Sequence, residues 1–332
     1  MKILGIESTA HTLGVSVIEF NGKTPDPDNT RVLSNVVEKY PSTEEGYIPR
    51  KLADHHAKLF RPTLDKALLQ SKTNAGELNA IAYSQGPGIG HCLHAGYIAA
   101  KSLSEFLGVP LVPVNHAVAH VEVTRFFTRA QNPLVVYVSG GNSQIFALEE
   151  GKYRVFGETL DIGVGNLLDH VGRLLELEPP DAVGVIKMAA EGKKLLPLPY
   201  TVKGMSFAFS GMLTSLKKMN LRTRQEKADA CFSAQETAFS MLVEAAERCL
   251  CHTRNPEVVL CGGNARNKRL QQMLSLMSQE QGARFCVAAD EYNGDNAAMI
   301  AVTGLQMLCA NAVPSNALPQ QRIRIESQKI KW

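Results

Sequence analysis

Two rhythms of apolar residues alternate along the chain. Short runs with every position or every second position apolar predict strands, and longer runs repeating every three or four residues predict helices. Lys2–Glu7 and Gly14–Phe20 read as strands joined by a turn over 8–13, and Asn21-Gly22 marks the next reversal. The stretch 23–46 is polar and turn-rich and predicts no regular element. Pro49 opens a helical pattern to Leu69, with Pro62 placed to kink it. Leu78–Tyr83 is a buried-strand pattern running into Ser84-Gln85-Gly86-Pro87-Gly88-Ile89-Gly90, after which a helix spans Leu93–Leu107. Val109–Val114 reads as a strand, and Asn115 stands where its side chain can cap a helix beginning at His116.

A second strand–turn–strand follows Asn132-Pro133. It comprises Leu134–Val138, the tip Ser139-Gly140-Gly141-Asn142-Ser143 and Gln144–Leu148, with Tyr153–Phe156 as a third strand. Helices are predicted at Asp161–Leu175, from beyond Asp181 to Lys194, at about 212–219, 225–252 and 267–281, and at Asn296–Leu308. Val258–Cys261 is a buried strand ending in Gly262-Gly263, and 290–296 is a polar loop. Each hairpin carries hydroxyls at its tip and is followed by helices. The repetition predicts a duplicated α/β architecture with a cleft between two lobes.

The 332 residues suit two lobes rather than one core, and 45% hydrophobic with 20% charged residues excludes a disordered chain. A formal charge of +3 is too small for free-standing nucleic-acid binding, though not for an RNA held jointly with other subunits. Seven scattered cysteines without a C-x-x-C pair exclude a disulfide frame or zinc ribbon and favour a reducing cytoplasm. The apolar run after Lys2 is too short for a signal segment, and no stretch is long enough to span a membrane.

The chemistry concentrates at a few places. His116 and His120 lie one helical turn apart on one face, the spacing at which two imidazoles can hold one transition metal. The motif lacks the internal Glu of H-E-x-x-H, so it does not support protease chemistry. Asp295, at a predicted helix start, would cap that helix or supply an oxygen donor to complement the imidazoles. The tip Glu7-Ser8-Thr9-Ala10-His11-Thr12 can face phosphates or simply be solvated. The glycines of 86–90 either seat an anion at a helix start or serve a tight turn.

Read together, these blocks resemble one family. The run Lys101-Ser102, Pro110, Val112, His116, Ala119-His120-Val121 is similar to the signature of the universal tRNA threonylcarbamoyladenosine transferases, members of the actin-like/Hsp70/sugar kinase (ASKHA) superfamily. Further matching blocks are Gly5-Ile6-Glu7-Ser8, Gly86-Pro87-Gly88, Tyr137 through Asn142, Gly157 through Asp161 with Gly165-Asn166, Phe209-Ser210-Gly211 and Asp295 through Ala301. The opening tip resembles the archaeal/eukaryotic branch, where bacterial members carry Cys-Asp-Glu. That branch works in the KEOPS complex beside a kinase-like ATPase, a dimerising subunit and an accessory subunit.

The resemblance implies a duplicated two-lobed fold, with residues 1–128 completed by 296–332 as one lobe and 129–295 as the other. It implies iron or zinc on His116, His120 and Asp295, with Tyr137 as a further ligand. It places Tyr137, Val138, Ser139, Gly140 and Gly141 against an adenine nucleotide or threonylcarbamoyl-AMP, and Asp169 and Asn267 against its ribose or base. One departure stands out: the family's Pro-Gly-Gly-Pro-x-Ile-Glu run reads Pro180-Asp181-Ala182-Val183-Gly184-Val185-Ile186 here, with Ile186 where an acid is expected. The implied reaction is acyl transfer from threonylcarbamoyl-AMP to a tRNA adenosine, with His11 and Glu7 as candidates to manage the amine's proton. A kinase or ATPase using Glu7 and Asp169 on magnesium, a metallopeptidase, and a non-catalytic scaffold are the alternatives.

Overall fold

The computed structural model describes residues 1–41 and 47–332, so the end of the polar stretch, 42–46, lies outside the described residues. In chain order the strands and helices begin with β1 (Lys2–Glu7), β2 (Thr12–Phe20), β3 (Thr30–Lys39), α1 (Pro49–Ser71), β4 (Leu78–Gly86), α2 (Gly90–Leu107), β5 (Leu111–Asn115) and α3 (His116–Thr128). They continue with β6 (Pro133–Val138), β7 (Ser143–Glu149), β8 (Lys152–Glu158), α4 (Val164–Leu174), α5 (Ala182–Ala189), β9 (Val202–Lys203), β10 (Ser206–Phe207), α6 (Ser210–Lys217) and α7 (Arg224–Thr253). The last are β11 (Glu257–Cys261), α8 (Lys268–Glu280), β12 (Arg284–Val287), α9 (Asp290–Asn293) and α10 (Ala297–Cys309).

The chain divides into two units, the first comprising 1–129, 150–153 and 291–332 and the second 130–149 and 154–290. The first holds a five-stranded sheet in the order β3-β2-β1-β4-β5. β1 pairs antiparallel with β2 and parallel with β4. Alternation along β1 and β2 sends neighbouring residues to opposite faces, and both faces are buried. Ile3 and Ile18 join Ala119, Val123, Met299 and Leu305 of α3 and α10. Leu4, Ile6, Val15 and Val17 join Leu64, Ala67 and Ala100 of α1 and α2. The sheet is therefore the middle of three layers, and each fully buried aliphatic side chain contributes about 1.5–3 kcal/mol.

The second unit has a sheet in the order β12-β11-β6-β7-β8. β6 pairs antiparallel with β7 and parallel with β11, which pairs parallel with β12. The strand order thus repeats that of the first unit, a three-strand meander with two parallel strands added beside its first strand. Its core joins Leu134, Val136 and Ile145 to Leu167, Leu168 and Val171 of α4 and to Phe239 and Leu242 of α7.

Four readings from sequence change. The stretch 23–46 contains β3, a ten-residue strand on the sheet edge whose outward positions are polar. β12 is likewise a short edge strand. α5 stops at Ala189 rather than Lys194, and 290–293 forms a helical turn rather than loop. The helix read from Pro49 is borne out, with α1 running to Ser71 and Pro62 inside it. Among the described residues no helix is long and apolar enough to cross a membrane.

Candidate metal centre

β5 delivers the chain to Asn115, whose side-chain oxygen accepts from the N–H groups of Ala117 and Val118 and so starts α3 at His116. The two imidazoles of α3 meet edge to face with centroids 4.7 Å apart. Asp295 reaches them from the turn before α10, its Oδ1 lying 3.3 Å from His120 Nε2 and 3.6 Å from His116 Nε2. The start of α10 packs on β1, where an added Cβ at Gly5 would lie 2.3 Å from the Ala297 carbonyl oxygen. Glycine at position 5 is what lets the α10 backbone, and Asp295 with it, come down onto the sheet. One ligand atom from each of His116, His120 and Asp295 lies within 4.8 Å of the others.

Glu7 stands behind this set. It is fully buried, and His116 Nδ1–H donates to its Oε2 at 2.9 Å. Its other oxygen accepts from the Thr9 N–H at 2.7 Å and the Thr9 hydroxyl at 2.5 Å. Fixing the proton on Nδ1 leaves His116 Nε2, the atom facing Asp295, as the lone-pair donor. Burial disfavours charge on His116, yet the carboxylates of Glu7 and Asp295 overcome it and raise the imidazole to about 9. His120 moves the other way, lowered first by burial and then by its charged neighbour. Asp295 is held below the usual carboxylate range by both imidazoles despite its burial. Two imidazoles and a carboxylate form a donor set that suits a first-row transition ion.

The remaining expectations fare unevenly. The first tip offers a phosphate neither the Ser8 nor the Thr9 N–H, which donate to Ser84 Oγ and the Glu7 carboxylate. Ile89 N–H donates to the Thr9 carbonyl, Tyr40 N–H to the His11 carbonyl, and His56 Nε2–H to the Ala10 carbonyl. The glycine run 86–90 is not an anion seat either, because Gly88 N–H donates to the Gln321 carbonyl and Gln320 N–H to the Gln85 carbonyl. Glu7, a candidate to manage the amine's proton, has its oxygens engaged by His116 and Thr9. His11 lies partly exposed, its ring stacked on Tyr47 with centroids 5.0 Å apart.

In the second unit the tip 139–142 is open. Gly140 and Gly141 are exposed, and among the described residues their N–H groups carry no hydrogen bond. The tip is held by Ser139 N–H donating to the Asn142 carbonyl and Asn166 N–H to the Gly140 carbonyl. An added Cβ at Gly165 would lie 2.8 Å from Gly140 Cα, so the tip rests directly on the first turn of α4. Tyr137 and the buried Val138 are the last two residues of β6 and lie beside Gly262. Asp169 spends Oδ1 on the Ala182 N–H at the start of α5. Burial raises its pKa, an effect that this bond and Arg173 oppose. Asn267 caps α8 by accepting from Arg269 and Leu270 N–H, and donates to Gln235. Asn267 and Ile186 line one recess of about 390 Å³ with Phe232 and Gln235. Sequence reading missed the role of Asp161, which receives the N–H groups of Phe209, Ser210 and Ile162 and so ties two of the quoted motif blocks together. It also missed Thr9, whose only signal was its place two residues after Glu7.

The repeated α/β sheet order and a candidate His-His-Asp metal-ligand set in the first unit are the features to set beside known proteins. The family described as TsaD: tRNA N6-adenosine threonylcarbamoyltransferase matches residues 31–302. The protein of that description from Thermococcus sibiricus is 44% identical over the whole of both chains, and the one from Staphylothermus marinus 42% identical over 99% of each. This chain belongs to the tRNA N6-adenosine threonylcarbamoyltransferase family and is a transferase of tRNA processing. A probable bifunctional tRNA threonylcarbamoyladenosine biosynthesis protein of Methanosarcina mazei is 42% identical, and 59% of its length is spanned. Among solved structures, Thermococcus kodakarensis HypF superposes with a TM-score of 0.65 at 14% identity, over 96% of this chain and 49% of that one. Component A of the (R)-2-hydroxyglutaryl-CoA dehydratase of Acidaminococcus fermentans gives 0.53 at 12% identity, over 91% and 97%. Both likenesses concern the fold alone.

Proposed function

We propose that this chain carries threonylcarbamoyl transfer to N6 of the adenosine at position 37 of tRNAs that read codons beginning with adenine, using the His116, His120 and Asp295 centre. The observation that carries this reading is the convergence of those three ligand atoms within 4.8 Å, in a family member that keeps each of them. In the reaction, the adenosine amine attacks the carbamoyl carbon of threonylcarbamoyl-AMP, the bond to the AMP phosphate oxygen breaks, and AMP leaves while the amine loses a proton. His116, His120 and Asp295, with Tyr137 as a candidate further donor, would hold an iron or zinc ion, whose chemistry when bound would be Lewis acidity and orientation of the acyl group. Glu7 acts through His116, holding a proton on Nδ1 so that Nε2 is the nitrogen turned toward Asp295 and available to a metal. The exposed Gly140 and Gly141 N–H groups cradle the phosphate on which charge accumulates. Val138 and Ser139 shape that loop, while Asp169 and Asn267 offer the adenosine end what their capping bonds leave free. His11 is the candidate to take the amine's proton.

The wider reading places the chain in the ASKHA superfamily as a duplicated two-lobed fold, with 1–128 and 296–332 as one lobe and 129–295 as the other. The repeated strand order supports it. The chain works in the cytoplasm within KEOPS, beside a kinase-like ATPase, a dimerising subunit and an accessory subunit, and the bifunctional Methanosarcina mazei relative supports a closely joined partner. A magnesium phosphotransferase is the weaker reading, because it needs the Glu7 carboxylate that His116 and Thr9 occupy. The test is modified-nucleoside formation from purified chain, partner subunits, tRNA and threonylcarbamoyl-AMP. His116→Ala with His120→Ala should abolish both bound metal and product, and full yield from that variant would remove the centre from the mechanism.

A further inference from the structure

Residues 316–332 run as an irregular strap over the elements that carry the metal ligands. The Gln85 amide donates to the carbonyls of Asn316 and Leu318, both at 2.9 Å, and the Tyr83 hydroxyl donates to that of Ala317. Farther along, Asn115 Nδ2 donates to the Arg324 carbonyl at 3.3 Å. This is the same Asn115 whose oxygen caps α3, so one side chain joins the strap to the first turn of the metal-bearing helix. Ile325 and Ile330 are buried, and Ile330 N–H donates to the Gly151 carbonyl at 2.7 Å. The strap reaches α3 a second time at Trp332, whose indole Nε1–H donates to Glu122 Oε2 at 3.1 Å.

Glu122 lies two residues beyond His120 and is 1% exposed. Its other oxygen accepts from Arg125 Nη1 at 2.9 Å and from the buried Tyr153 hydroxyl. A carboxylate this deeply buried is tolerated only while its partners stay in place. The arrangement therefore specifies one docked position of the strap and disfavours its neighbours. The ligand set spans two elements, α3 and the turn before α10, so its geometry depends on how α3 lies against α10. The strap holds α3 at its cap and again near its middle.

We propose that Trp332 and Glu122 form a latch that docks the strap on α3 and thereby positions His116 and His120 for metal binding. The latch rests on the metal reading above and deepens it: these are positioning residues that act through the helix and touch neither metal nor substrate.

The test uses the full chain and zinc alone as probe, with affinity read by competition against a chromophoric chelator. Trp332 is the single tryptophan, so indole emission reports strap docking directly in wild type and in Glu122→Gln. Emission should move to longer wavelength in Glu122→Gln. The zinc dissociation constant should rise about three- to tenfold in Trp332→Phe, which keeps an aromatic ring of smaller size and removes the N–H of a charge-assisted hydrogen bond. The Glu122→Gln, Trp332→Phe double variant should be no weaker than Glu122→Gln, as two halves of one contact require. Should Glu122→Gln fail to fold, Trp332→Phe still decides, because it leaves the Glu122, Arg125 and Tyr153 cluster intact. Wild-type affinity in folded Trp332→Phe overturns the latch alone. Wild-type zinc binding that His116→Ala does not reduce overturns the centre and the latch with it.

Discussion

In the first unit the tip between β1 and β2 is closed, and in the second the tip between β6 and β7 is open, although both end the same strand order. At the first tip the Glu7 carboxylate turns inward to His116, and the carbonyls of Thr9, Ala10 and His11 accept from Ile89, His56 and Tyr40. At the second, Gly140 and Gly141 are exposed and their N–H groups have no hydrogen bond among the described residues. A closed polar tip braces ligands of its own chain, whereas an open one is left to bind an anion from solution. Under the proposed function, the same strand order would serve a metal brace in one unit and a phosphate cradle in the other. Matched substitutions should separate them.

The largest contrast lies between two glycine-to-alanine changes. Gly5→Ala places a methyl group 2.3 Å from the Ala297 carbonyl oxygen, a backbone atom that cannot swing aside. Such overpacking should cost about 2–3 kcal/mol of stability and shift Asp295 with α10, so zinc affinity should fall as well. Gly141→Ala has nothing within 4 Å of the new methyl and should stay within about 0.5 kcal/mol of wild type. Denaturant melts of the two variants beside wild type measure this. Equal losses would mean that the tips are not used differently.

The next effect isolates the brace. Glu7→Gln keeps the shape but gives up the carboxylate that fixes the His116 tautomer, and zinc should bind about 10- to 100-fold more weakly. Ser139→Ala, in the open tip, should leave zinc affinity unchanged and weaken adenine-nucleotide binding. Calorimetric titration of both variants with zinc and then nucleotide separates the outcomes, and a zinc defect in Ser139→Ala would break the division.

Much of this scaffold was legible because strand and helix periods are local. β1, β2, β6 and β7 follow from alternating apolar residues, the start of α3 from Asn115, and the pair His116 and His120 from one helical turn. The edge strands β3 and β12 were not, because polar residues break their apolar runs, whereas the edge strands β5 and β8 keep enough of theirs to be read. Closure of the first tip was illegible for a different reason. Its partners Ser84, Ile89, His56 and His116 lie 46 to 109 residues from the groups they meet, and only the fold brings them together. The same holds for the strap over the 86–90 loop, where glycines that resemble an anion seat are filled by Gln320 and Gln321.

The smallest expected effect concerns how the closed tip answers to acid. His56 on α1 is buried, and its Nε2–H donates to the Ala10 carbonyl at 3.0 Å. Burial first, then the neighbouring His55, lowers the imidazole to about 4. An unfolded chain therefore takes up a proton near the ordinary value of 6.5 that the folded chain refuses until about 4. Stability from this group is fully present above that ordinary value and is lost as the pH falls through the interval, levelling off below it. Going from neutral to roughly pH 5.5 should cost about 1 kcal/mol through His56. His56→Gln keeps an amide N–H for the Ala10 carbonyl but cannot titrate, so its stability should fall less over the same range. Urea melts of both proteins at the two pH values measure the difference. The open tip holds no histidine among residues 139–143, so nucleotide binding there should not follow this group's titration. Matching pH slopes for wild type and His56→Gln would mean that acid sensitivity arises elsewhere than at the bond tying α1 to the closed tip.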